Sequence, residues 1–244
     1  MAARQVIAYV TIGIMLAGAA TAPGSHSDGG SAAGRGETLT VNWDGTGDFV
    51  TIQAALDAAA DGDTVVVYPS SGSELQAYIE NVVFPARAVT LRSLDPEDPA
   101  VVADTVIDGN HEGAALQFQP GTPKGAVLAG LTLRNGQGTS GGGIVCANAD
   151  PLIRRCTITG CEASSGGGIF LSQSRATLEH CLILGNESSS NGGGIVCSAS
   201  SPRIDGCTVS GNYAHYGGGV YCVGSSHAVL VNCVLSGNQA ESYG

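Results

Sequence analysis

The phrase Gly-Gly-Gly-[Ile/Val] occurs four times in this chain, at Gly141 to Ile144, Gly166 to Ile169, Gly192 to Ile195 and Gly217 to Val220, with starts 25, 26 and 25 residues apart. A second phrase recurs between the triplets: Cys156-Thr-Ile-Thr-Gly-Cys161, Cys181-Leu-Ile-Leu-Gly-Asn186, Cys207-Thr-Val-Ser-Gly-Asn212 and Cys233-Val-Leu-Ser-Gly-Asn238. A fixed period of this kind marks a repeat architecture. The 25-residue unit is too short for two packed helices and holds two β-rich runs, such as Gly-Ile-Val-Cys and Cys-Thr-Val-Ser, divided by Gly, Ser, Asn and Pro turns. One unit cannot bury its own apolar face, so successive units must stack.

In a coil of stacked units each strand pairs in parallel with its equivalent one turn on, about 4.8 Å away, and alternate residues point inward. The expected inward column is Ile144, Ile169, Ile195 and Val220, followed two residues later by Cys146, Leu171, Cys197 and Cys222. Cys156, Cys181, Cys207 and Cys233 form another, with Ile158, Ile183, Val209 and Leu235 two residues on, while Val145, Phe170, Val196 and Tyr221 face outward. Seven of the eight cysteines thus lie in ladder columns, one of whose positions is filled by Leu171. Interchange with Leu favours buried free thiols packed as small hydrophobes over the disulfide framework that an exported chain with an even Cys count otherwise suggests. Zinc is disfavoured, since no Cys-x-x-Cys pair exists. Cys161 stands where Asn186, Asn212 and Asn238 stand and reads as a turn variant. Those asparagines suggest a ladder of amides bonded from turn to turn.

The composition agrees with a coil. At 43% hydrophobic and 13% charged the chain is too apolar to be disordered, and its 37 glycines cluster in threes where collagen would need one every third residue. Aromatic residues make up 5%, so Val, Ile, Leu, Ala and Cys must fill the core, a set that favours strands. A formal charge of −11 argues against nucleic acid or an anionic membrane surface as partner.

Three regions follow along the chain. Arg4, the apolar run from Val6 to about Ala20 and the small-x-small pattern Ala20-Thr21-Ala22 read as an export signal over residues 1–22, cleaved near Ala22, which places the protein outside the cell or on its surface. Residues 23–36, rich in Gly, Ser and Ala, read as a flexible leader. The coil occupies residues 37–244. Upstream of the triplets, Asp63 to Tyr68, Ala88 to Arg92, Ala114 to Phe118 and Ala126 to Arg134 read as strands. Thr51 to Ala60 reads as a helix with Thr51 as N-cap, Ile52, Ala55, Leu56 and Ala59 on one face and Gly62 just past its end. That helix is the natural cap for the open end of the coil. Ser236 to Gly244 breaks off where the next triplet is due, so the coil is expected to be truncated at its C-terminal end.

Asp44-Gly-Thr-Gly-Asp-Phe-Val-Thr-Ile-Gln-Ala-Ala-Leu-Asp-Ala-Ala59, followed by Gly62-Asp-Thr-Val-Val-Val-Tyr-Pro69, resembles the opening of right-handed parallel β-helix proteins of the pectin-lyase-like superfamily, pectinesterases included. The glycine-triplet and Cys-Thr-Ile-Thr-Gly phrases resemble bacterial surface repeats, among them those of polymorphic outer-membrane proteins. The resemblance implies an all-β right-handed parallel β-helix with a short N-terminal capping helix. On function it implies either a structural, adhesive or glycan-binding scaffold or a polysaccharide lyase or esterase, since one fold hosts many chemistries.

The residues favour the scaffold. The Asp-Phe-[Ile/Val]-Phe-Gly phrase that carries the nucleophile of pectinesterases has no match, since Asp48-Phe49-Val50 belongs to the cap region. Residues 37–112 carry 14 acidic residues against Arg87 and Arg92, but these are scattered through turns and read as a solvated surface, not a calcium site. His111, His180, His215 and His227 share no repeat position and read as surface or turn residues. Gly136-Gln-Gly-Thr-Ser-Gly141 has dinucleotide-loop spacing, yet a strand follows where a helix is required. No catalytic, metal-binding or cofactor-binding residue is therefore expected. The one candidate surface is an outward aromatic strip of Phe170, Tyr213, Tyr216 and Tyr221, suited to stacking on sugars, with a polysaccharide or cell-surface glycan as partner.

Overall fold

The computed structural model describes residues 36–71 and 76–243. The expected export signal and the leader as far as Arg35 lie outside the described residues. From Thr38 onward the chain winds as a parallel coil of about eight turns, right-handed as such crossovers are. Four sheets of eight, seven, six and five strands run along the coil, each strand hydrogen-bonded to its equivalent in the next turn.

The expected columns are in register. Ile144, Ile169, Ile195 and Val220 pair in succession on the six-stranded sheet, as do Ile158, Ile183, Val209 and Leu235 on the seven-stranded sheet. Every member of the two columns up to Ile195 and Val209 is wholly buried. In the last turn the expectation fails. Val220 and Cys233 are half-buried, Cys222 is exposed and Leu235 is 48% exposed, because no described strand lies beyond them. Val196 departs in the other direction. It faces outward as expected but is buried, because its ladder neighbours Phe170 and Tyr221 flank it on both sides.

The glycine triplets have two separate causes. Gly141, Gly166, Gly192 and Gly217 turn the corner into the six-stranded sheet with φ between +58° and +71°, a region costly for residues with a Cβ. The second and third glycines allow turns to approach. A Cβ on Gly142 would lie 2.5 Å from the Glu162 carbonyl oxygen, and one on Gly143 would lie 2.6 Å from the Gly168 carbonyl oxygen.

Polar ladders fill the remaining corners. Asn186, Asn212 and Asn238 each accept, on Oδ1, a backbone N–H from the turn before: Cys161, Asn186 and Asn212 donate at 3.1, 2.9 and 3.1 Å. Each Nδ2 then donates to the carbonyl of Ile158, Ile183 or Val209 at 2.8–3.0 Å. Cys161 sits at the head of this column, buried, with no amide to continue it. A serine ladder that the sequence reading omits runs beside it, with Ser200 Oγ accepting from Ser174 N at 3.1 Å and Ser226 Oγ from Ser200 N at 3.2 Å.

None of the eight cysteines is paired with another. Cys156, Cys181, Cys207 and Cys233 each donate Sγ–H to the carbonyl two residues back, at 3.2–3.5 Å. A small apolar group with one weak donor suits that corner. Burial pushes the Cys156 and Cys161 thiols up to about 12, which keeps them protonated and unreactive.

The capping helix, α1 (Ile52–Ala58), is shorter than expected and is capped as expected, Thr51 Oγ1 accepting from Ala54 N at 3.3 Å. Its Ile52, Ala55 and Leu56 are wholly buried against the first strands. A second helix, α2 (Pro99–Asp104), escaped the sequence reading although Asp98 caps it and Pro99 opens it. The span Ala126 to Arg134, read as one strand, is two, Val127–Ala129 and Thr132–Arg134, bent at Gly130 where φ is +66°.

Candidate functional site

The four aromatic residues of the expected strip divide between two sheets. Phe170 and Tyr221 stand on the outer face of the six-stranded sheet, separated by Val196 and so two turns apart, about 10 Å. Tyr213 and Tyr216 lie in the strand Tyr213–Tyr216 of the five-stranded sheet, beyond the corner made by Gly217 to Gly219. The structure therefore does not bring the four together. It gives Tyr216 a different partner, Tyr243, whose ring stacks on it at 6.0 Å between centroids and 9° between planes.

Around that stack a polar group assembles. The strand Gln239–Tyr243 pairs in parallel with Tyr213–Tyr216: Tyr213 opposes Gln239, Ala214 opposes Ala240, and after a bulge Tyr216 opposes Tyr243. His215 is thus left facing both Glu241 and Ser242. Its Nδ1 lies 2.7 Å from Glu241 Oε2 and its Nε2 lies 3.3 Å from Ser242 Oγ. The other carboxylate oxygen, Oε1, accepts the hydroxyl proton of Tyr213. The Tyr216 ring meets the imidazole edge-on at 4.3 Å. The hydrogen bond from Tyr213, and after it that from His215, holds the Glu241 carboxyl below its ordinary range, and the same bond pushes the Tyr213 phenol up. His215 is a surface residue, as its sequence reading had it, but not an isolated one.

A second carboxylate of interest is Asp108, 6% exposed and paired in register with Arg134. Arg134 Nε and Asn135 Nδ2 donate to its Oδ2 at 2.7 and 2.8 Å, and Asn110 N donates to Oδ1 at 3.0 Å. Burial opposes ionisation, but these donors outweigh it and leave the carboxyl below its ordinary range. With both oxygens engaged by the protein and the residue 6% exposed, Asp108 holds a corner. The sequence signal was its 26-residue spacing from Arg134, which the irregular upstream turns hide.

A groove of about 440 Å³ lies between α2 and the seven-stranded sheet, lined by Pro96, Pro99, Val102, Thr157, His180 and Leu182, with Glu97 and Arg155 among its lining residues and bonded at 2.6 Å. Among the described residues no three His, Cys, Asp or Glu side chains are grouped to hold a metal ion. No described helix is long and apolar enough to cross a membrane.

Residues 101–244 match the family model described as "Right handed beta helix region". Among solved structures, the pectin methylesterase from Aspergillus niger in deglycosylated form is similar with a TM-score of 0.44 and 16% identity, over 84% of this chain and 87% of that one. The same enzyme in penultimately deglycosylated form gives 0.45 and 18% over the same shares. No curated protein matches the chain.

Proposed function

The chain belongs to the right-handed β-helix family, and from that premise we propose that it is an exported or surface-displayed scaffold that binds carbohydrate on the outer face of its five-stranded sheet. The observation that carries this reading is the Tyr216–Tyr243 stack, with exposed Tyr213 in the same strand as Tyr216, a cluster of aromatic rings that carry hydroxyl groups. Sugar rings are recognised by such platforms because their C–H faces pack on aromatic rings while their hydroxyls bond at the edge. Residues 1–22 support export, and the acidic charge suits a neutral glycan better than an anionic one.

Binding of the full chain to a panel of soluble polysaccharides, followed calorimetrically, tests the platform. Tyr216→Ala and Tyr243→Ala are expected to weaken binding by about two- to twelvefold each, in line with aromatic contacts of about 0.5–1.5 kcal/mol. Binding by both variants as tight as by the parent, or no binding by the parent, overturns the reading. Mass spectrometry of the protein recovered from the culture medium tests export, with a mature N-terminus at Pro23 expected and an intact Met1 contradicting it.

A further inference from the structure

We propose that Ser242, His215 and Glu241 form a hydrolytic site for acyl esters, with Ser242 as nucleophile, His215 as base and Glu241 as the residue that positions the base. The three are connected in the order that an activated serine requires: hydroxyl to Nε2, Nδ1–H to carboxylate. Glu241 fixes the tautomer, because an ionised carboxylate accepts a proton only from Nδ1–H, which leaves Nε2 free to accept from Ser242. Tyr213 holds the far oxygen of the carboxylate and so fixes its plane.

Simple strand geometry does not produce this arrangement. Neighbouring residues of a regular strand point to opposite faces, so Glu241 and Ser242 should not both reach one imidazole. They do so because the bulge between the pairs Ala214/Ala240 and Tyr216/Tyr243 sets two residues against one. Bulges re-aim side chains in this way beside active sites. The preceding strand, Glu187–Asn191, has the same bulge and sets Ser189 and Ser190 against His215 on one side and against Ser164 on the other, but the imidazole bonds to Glu241 and Ser242.

The chemistry balances with water as the only co-reactant. Ser242 Oγ attacks the ester carbonyl carbon while His215 Nε2 takes the hydroxyl proton. The tetrahedral alkoxide collapses, the bond from the acyl carbon to the alcohol oxygen breaks, and His215 returns the proton to that oxygen. A water molecule then attacks the acyl-serine, again deprotonated by His215, and releases the acid with Ser242 restored. An open strand face admits water readily, and a positioned base is worth about 10²–10⁴-fold. The substrate class is therefore a small acyl ester. That the ester sits on a sugar rests on the carbohydrate reading above, whereas the ester chemistry does not.

The test uses the full chain with a fluorophosphonate probe and with 4-nitrophenyl acetate. Peptide mapping is expected to place the probe on Ser242, and Ser242→Ala to abolish labelling and saturable turnover. His215→Ala should slow both by about 10²-fold or more. Glu241→Gln should lower kcat about tenfold with KM unchanged, the split expected of a residue that acts through the base. All three side chains are at least partly exposed, so the variants are expected to retain the parent's circular dichroism. Labelling of Ser242 no faster than of exposed Ser201, or turnover indifferent to Ser242→Ala or His215→Ala, overturns the proposal. A chain that labels at Ser242 yet binds no polysaccharide supports it and removes only the carbohydrate reading.

Discussion

Asn212 shows how much one side chain does in a coil. Its Oδ1 receives both the backbone N–H and the side-chain amide of Asn186, at 2.9 and 3.0 Å, and its own Nδ2 satisfies the carbonyl of Ile183. It is wholly buried, so no water replaces these partners. Asn212→Ala leaves several polar groups unsatisfied, each worth about 1–3 kcal/mol, and is expected to destabilise the chain by about 2–4 kcal/mol in urea denaturation. Loss of less than about 0.5 kcal/mol would mean that neighbouring turns relax to re-pair the backbone, as ordinary surface substitutions permit. The column itself was legible, because an asparagine repeating every 26 residues behind a glycine has few reasons to exist other than a ladder. Cys161 was harder to read. It follows Gly160 as the asparagines follow their glycines, and only its wholly buried position shows that it heads the column, not a solvent-facing turn.

At the scale of the element, the glycines of one repeat, Gly185 before the asparagine and Gly168 of the triplet, separate two effects that a glycine combines. Gly185 has φ +60° with nothing within 4 Å of an added methyl, so Gly185→Ala meets conformational strain alone, about 1–2 kcal/mol. Gly168 has an ordinary φ, but its added methyl would lie 2.6 Å from the Gly194 carbonyl oxygen and 2.9 Å from Ile183 Cγ2. Backbone belonging to the next turn cannot withdraw without breaking its own ladder, so Gly168→Ala is expected to cost about 3 kcal/mol or more. Urea midpoints with unchanged m-values measure both, and equal costs would show that close approach is not what the third glycine serves. Strong repeats made these elements readable, whereas short ones carried too little pattern. Six-residue α2 has no second turn to display a face, and the strands on either side of Gly130 are three residues each. The group around His215 was illegible for a related reason. Its members meet through a bulge, and a register shift of one residue is invisible until the strands are paired.

At the scale of the molecule, the described residues form a one-dimensional stack, in which each turn touches only its neighbours and stability is a sum of turns and interfaces. Position along the axis should therefore decide the cost of an otherwise identical change. Ile183 is wholly buried with Ile158 on one side and Val209 on the other, so Ile183→Ala leaves a cavity closed by two turns and is expected to cost about 2–5 kcal/mol. Leu235 occupies the same column in the last described turn, has Val209 on one side only and is 48% exposed. Solvent already reaches it, and Leu235→Ala is expected to cost less than about 1 kcal/mol. Amide hydrogen exchange adds a directional readout. Ile183→Ala should reduce protection most in the strands Leu182–Leu184, Thr157–Thr159 and Thr208–Ser210, with the effect fading toward α1 and toward Gln239–Tyr243. A uniform loss of protection along the whole coil would mean that the turns unfold as one unit. In that case the free energy would belong to the stack and not to its interfaces, and Leu235→Ala would be felt at α1 as strongly as Ile183→Ala.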